Sequence, residues 1–226
     1  MNHPVKQPVI VYSVFNVTNI VPGFSHTQLC DLPEAQATFG RALDSAPTYE
    51  WGLSLLPDSS VPFYVNEPGQ FNLSGHFLPL GDYPQPILYY DSHSSGRLDG
   101  SFIGEDRKPR RVCTSSSGVV VRIEDVIANN LSQTRVVIRH TDYSYLDRDF
   151  RTFNVEYLCN WHKVRSGFRD ELVVGRVVEI SGTLCGFNHQ THLWRILATY
   201  KTVAMSEAQE HRSNWLNQTR EMSLIV

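Results

Sequence analysis

The chain has 226 residues, of which 41% are hydrophobic, 11% aromatic and 19% charged, enough for one large or two small domains with a core of their own. No apolar run approaches the ~20 residues of a membrane span, and 14 glycines with 12 prolines are too few for a fibrous or low-complexity chain. A formal net charge of -3 hides an asymmetry: residues 1–100 carry three basic against nine acidic side chains, residues 101–226 seventeen against fourteen. Either the basic part meets an anionic partner, or the two parts pack with complementary surfaces. The opening Met1-Asn-His-Pro4 has neither a basic nor an apolar leader pattern, and Cys30, Cys113, Cys159 and Cys185 are irregularly spaced. Free thiols in a reducing, intracellular compartment are the expectation, with no membrane partner.

In chain order, Pro8-Val-Ile-Val-Tyr-Ser-Val-Phe15 is a β-branched and aromatic run that predicts a strand. From Asp31, the segment through Leu43 reads as a short helix, with Pro33 in its first turn and Asp44-Ser-Ala-Pro47 as its stop. Trp51–Leu56, Val61–Val65, Gln70–Leu80 and Pro86–Tyr90 predict short strands, separated by turn sequences such as Glu67-Pro-Gly69. Residues 91–117, rich in Ser, Asp, Gly and Arg and ending in Ser115-Ser-Ser-Gly118, read as a loop or linker.

The second half alternates more regularly. Gly118–Glu124, Thr134–His140 and Arg151–Cys159 each put apolar residues on one face and polar ones on the other, the pattern of half-buried antiparallel strands. Asn160–Phe168 has room for one helical turn. Leu172–Leu184 predicts a long strand interrupted by Gly175 and Gly182, and Leu193–Ala204 a last one with Trp194, Ile196, Ala198 and Tyr200 inward. Ser206-Glu-Ala-Gln209 has the capping-box spacing and predicts a closing helix to about Met222.

Three alternating strands, an irregular connector, then two strands around a short turn is the order of a five-stranded Greek-key barrel. Gly175-Arg-Val-Val-Glu-Ile-Ser-Gly-Thr-Leu-Cys-Gly-Phe187 followed by Leu193-Trp-Arg-Ile-Leu-Ala-Thr-Tyr200 resembles the fourth and fifth strands of OB-fold domains. The likeness is to single-strand-binding, replication-protein-A-like or telomere-capping small subunits and covers about residues 111–226. It implies an OB-like barrel over 111–204 and a partner-facing helix within 205–226, carried by Trp215, Leu216 and Met222. In the first half, Gln70-Phe-Asn-Leu-Ser-Gly-His-Phe77 faintly echoes Val178-Glu-Ile-Ser-Gly-Thr-Leu184. Two β-rich units are the leading reading, and a single elaborated barrel is the alternative.

Single-strand binding needs cations for phosphates and rings for bases. The polar faces supply Arg122, Arg135, Arg139, Arg195 and Lys201, and the connector Thr141–Phe150 supplies Tyr143, Tyr145 and Phe150. Asp142, Asp147 and Asp149 lie among those rings and would repel phosphate. Cys159-Asn-Trp-His162 and His189-Gln-Thr-His192 offer two metal-ligand pairs, but their spacing matches no known finger, so neither metal nor cofactor is expected. No nucleophile elbow, phosphate-binding glycine loop or His-Glu-x-x-His is present.

The sequence thus predicts a mostly β protein: a β-rich unit with one short helix and a polar linker at 1–110, an OB-like barrel at 111–204, and a C-terminal helix at 205–226. The function it predicts is non-catalytic binding of single-stranded nucleic acid, DNA favoured, as a subunit of a larger complex in the nucleus. A protein-interaction scaffold is the alternative, and a zinc-dependent enzyme the third reading.

Overall fold

A computed structural model describes residues 4–21, 34–40, 50–58, 65, 67–81, 85–91, 93–98, 111–128, 131–159 and 172–202. Among them run the strands β1 (Val9–Val21), β2 (Glu34–Gly40), β3 (Glu50–Pro57), β4 (Gly69–Leu78), β5 (Ile87–Tyr90), β6 (Gly96–Arg97), β7 (Cys113–Ala128), β8 (Leu131–Ser144), β9 (Asp149–Cys159), β10 (Val177–Asn188) and β11 (Leu193–Thr202).

The alternating segments of the second half close on themselves. β7 pairs with β8 along 119–128 and with β10 along 113–119, β8 pairs with β9, β9 runs parallel to β11, and β11 returns to β10. A ring in which only the third and fifth strands are parallel is the OB barrel. Its interior is built from the apolar faces: Val120, Val136, Ile138, Val155, Tyr157, Ile180, Trp194 and Ile196 are all at most 1% exposed.

The first five strands close a barrel of the same order. β1 pairs with β2 and β4, β2 with β3, β3 runs parallel to β5, and β5 returns to β4. The echoed segments are the fourth strands of the two barrels, β4 and β10. In each, the glycine of the Ser-Gly pair, Gly75 or Gly182, lies so close to the fifth strand that a Cβ would collide with a backbone carbonyl, that of Tyr89 or Leu197.

The barrels meet along their first strands. β1 and β7 pair antiparallel from Val9↔Ser116 to Tyr12↔Cys113. Ser13 faces Leu73 of β4 as Ser116 faces Ile180 of β10, so Val11 and Thr114 are equivalent residues, and they are paired with each other. The local symmetry is therefore a two-fold through that pair. Side chains lock the contact: Trp51 packs 2.6 Å from where a Gly186 Cβ would stand, its ring 5.6 Å from Trp194, and Phe77 meets Trp194 at 5.3 Å. Leu78, Ile87 and Tyr89 of the first barrel pack on Leu146 and Phe153 of the second.

Several expectations are corrected. The helix from Asp31 is not formed where the structure is described, because 34–40 is strand β2, sandwiched between β1 and β3 with Ala37 in the core. Ala-Gln-Ala-Thr suits a helix by propensity, and pairing on both edges overrides it. The supposed linker over 91–117 is interrupted by β6, which pairs with β4, and gives way to β7 at Cys113, so Ser115 and Ser116 are strand residues; the buried Ser116 hydroxyl donates to Ile180 O at 3.0 Å and lies 2.7 Å from Tyr157 Oη. β7 also carries an irregularity between Val120 and Arg122, which turns Val119 outward and Val120 inward, against simple alternation. β10 begins at Val177, after a turn in which Gly175 has φ 87°. The fold class is corrected too: no helix occurs among the described residues, so the architecture is all-β strands. The segment 206–222 expected to be helical lies outside the described residues, as do 61–64 and 160–168.

One buried polar chain sits inside the second barrel. His140 is fully buried, with its Nδ1 2.8 Å from Ser117 O and its Nε2 3.1 Å from Tyr157 Oη. Burial pushes the imidazole pKa from 6.5 down to about 4. Between those values the unfolded chain binds a proton that the folded one refuses, so stability is full above pH 6.5 and falls as pH drops toward 4, by roughly 3 kcal/mol in all. Urea unfolding at pH 7.5 and pH 5 should show a loss of about 2 kcal/mol, and His140→Gln should flatten that dependence. The same slope in both proteins would remove His140 as its source.

Candidate nucleic-acid interface

The outer face of β8 and β9 is set by their antiparallel register, which places Arg135, Val137, Arg139, Thr141 and Tyr143 opposite Leu158, Glu156, Asn154, Thr152 and Phe150. Cross-strand partners share a face, so these ten side chains form one surface. It divides into two electrostatically different halves.

The half nearest the β8–β9 turn is aromatic. Tyr143 and Phe150 meet edge to face with centroids 5.5 Å apart, and Tyr145, 44% exposed, lies 5.3 Å from Tyr143. The ring of Tyr145 is braced from the first barrel by Tyr89 at 5.0 Å. Lys6 Nζ stands 5.9 Å above the Tyr143 ring, brought there by the backbone bridge between Gln7 and Thr141. Arg139 is exposed on the same face of β8, four residues before Tyr143. The three aspartates among these rings are less of an obstacle than their number suggests. Asp142 is 2% exposed and turns away to His76, 2.7 Å from its Nδ1. Asp147 is bound to Arg151 at 2.7 Å and accepts from Ser144, and these partners hold its pKa below the usual carboxylate value. Asp149 accepts the N–H of Phe150.

The other half is spent on itself. Glu156 is fully buried although it lies on the outer face, covered by Arg195, whose Nε donates to it at 2.6 Å, and by Arg135 at 3.4 Å. Glu124 takes the other side of Arg135 at 3.5 Å and also holds Arg122 at 3.2 Å.

Of the residues singled out by sequence, the structure therefore gathers Tyr143, Tyr145 and Phe150, leaves Arg139 exposed on the same face of β8, and ties Arg122, Arg135 and Arg195 into ion pairs. Lys201 lies on β11, paired with Ile180 in the β10 register, and Trp215, Leu216 and Met222 lie outside the described residues. Lys6 was missed, and no local pattern marks it. Of the metal-ligand pairs, Cys159 faces the barrel interior, His189 and His192 stand in the exposed β10–β11 turn, and His162 lies outside the described residues.

The wild-type single-stranded DNA binding protein from Thermus aquaticus has a similar structure, with a TM-score of 0.53 over 89% of this chain and 95% of that one, at 10% identity. The shared feature is the OB-fold. At this identity the likeness is one of fold, and it extends over both barrels of the chain. No protein-family model and no curated protein matches the sequence.

Proposed function

We propose that the chain binds single-stranded DNA without catalysis, through the aromatic half of the β8–β9 face. The observation that carries this reading is the cluster of half-buried Tyr143 and Phe150 with exposed Tyr145, with Lys6 above it and Arg139 exposed farther along the same face of β8. It occupies the second and third strands of an OB barrel, the surface on which such barrels stack bases and track phosphates. The similarly folded Thermus aquaticus protein is named for binding single-stranded DNA, which favours DNA over RNA. Action as one subunit of a larger complex belongs to the same proposal and rests on the resemblance of residues 111–226 to assembly subunits.

Fluorescence anisotropy with a labelled oligonucleotide tests it. Replacing Tyr143 and Phe150 together by alanine should weaken binding by about 10- to 100-fold, since stacking on each ring is worth ~1–3 kcal/mol. The salt dependence should be nearly unchanged, because no phosphate contact is lost. Arg139→Glu should instead reduce the slope of log affinity against log salt by about one. A wild-type protein with no measurable affinity at low salt would leave the scaffold reading in its place.

A further inference from the structure

β9 pairs with β8 along its whole length, but β11 joins it only from Val155, opposite Trp194. Along 149–154 the other edge of β9 has no strand against it among the described residues, so backbone donors and acceptors of a regular strand face outward there. Across from this edge stands Pro79-Leu80-Gly81, the segment that follows β4 in the first barrel. Between the two lies a cleft of about 620 Å³. It exists only because the barrels are packed together, one wall coming from each.

The lining is that of a site for a flat heterocycle. Phe153, Leu193 and Leu80 provide apolar surface; Thr152, Asn154 and His192 provide side-chain donors and acceptors. Among the described lining residues the one guanidinium is that of Arg151, already held by Asp147, so this lining offers little to a phosphate. Its volume falls within the range of ordinary small-ligand sites. Thr152 and Asn154 are also the residues next to Phe150 on the outer face of β9, so the cleft begins where the aromatic cluster ends.

We propose that this inter-barrel cleft receives one unstacked base of a DNA strand whose neighbouring bases lie on Tyr143 and Phe150. The inference rests on the proposed single-strand binding and adds a base-reading subsite to it. Stacking on exposed rings is tolerant of sequence, whereas an amide, an imidazole and a strand edge can hydrogen-bond the edge of a base. Whatever base preference the protein has should therefore be decided at the cleft and not on the rings.

Two variants leave the ring cluster untouched: Leu80→Trp fills the cleft from the first barrel, at a position 39% exposed, and Asn154→Ala removes an exposed amide from its rim. The probe is a set of oligonucleotides, each with a single abasic position. With wild-type protein one position should cost about tenfold in affinity beyond the positions explained by the rings. Leu80→Trp should weaken binding of the intact strand by a similar factor and abolish sensitivity at that position alone. Asn154→Ala should reduce the preference for one base at that position. If wild-type protein binds and both folded variants bind equally well with the same abasic profile, the cleft is not part of the path, and binding on the rings stands. If wild-type protein binds no strand at all, the functional reading itself fails.

Discussion

Gly182→Ala is expected to lower the melting temperature by ~6–12 °C, and Gly75→Ala by a similar amount, whereas Gly52→Ala should move it little. At Gly182 a Cβ would press on the carbonyl of Leu197 and stand 2.6 Å from a methyl of Ile196; at Gly75 it would press on the carbonyl of Tyr89 and stand 2.6 Å from Tyr90 Cα. The obstacle is ladder backbone in both cases, so it cannot rotate out of the way as a side chain could. Overpacking of this kind costs about 3 kcal/mol, and each kcal/mol is worth ~2–4 °C in a chain of this size. Gly52 lies exposed on β3 with nothing within 4 Å of the added carbon, and alanine there also restricts the unfolded chain, which offsets part of any loss. Thermal melts by circular dichroism compare the three directly. Equal melting temperatures would mean that the fourth and fifth strands of each barrel can part without cost.

That pair of glycines shows how far the fold was legible. The Ser-Gly echo at 74–75 and 181–182 marks the same close approach in both barrels, and it was visible because a steric requirement leaves a residue-level trace. The second barrel was readable from alternation, since Val136, Ile138, Val155 and Tyr157 face a core while Arg139 and Asn154 face out. The first was obscured for two physical reasons. All four residues of β5 are buried, which erases period two, and the Ala and Gln of β2 are helix formers that only tertiary pairing turns into strand. In the site, Tyr143, Tyr145 and Phe150 were legible because one tight turn gathers them. Lys6 was not, because the bridge of Gln7 to Thr141 joins distant parts of the chain. The fate of the arginines was equally hidden. It depends on the parallel register of β9 and β11, which sets Arg195 beside Glu156, and alternation within one strand says nothing about what stands on the next.

Glu156→Gln is expected to raise affinity for single-stranded DNA by roughly three- to tenfold at low salt and to steepen its salt dependence by about one unit of slope. In the wild-type protein this carboxylate is fully buried between Arg195 at 2.6 Å and Arg135 at 3.4 Å, so it holds Arg195, and together with Glu124 holds Arg135, away from a phosphate. Glutamine keeps the shape and one acceptor oxygen, removes the charge, and leaves both guanidiniums on the same face as Arg139. The folded state should lose something as well, since a buried ion pair is broken from one side and the arginines are left partly unanswered. The two readouts therefore move in opposite directions: a lower melting temperature with tighter binding. Glu124→Gln makes a useful companion, because Glu124 is 39% exposed and its pair with Arg122 is solvent-screened, so its effect on both readouts should be smaller. If Glu156→Gln melts lower but binds no more tightly, the arginine network is a structural brace with no bearing on the strand, and the path is confined to the ring cluster. If it binds more tightly and Tyr143 and Phe150 still matter in its background, the two halves of the β8–β9 face are one surface, and Glu156 is what keeps half of it closed to phosphate.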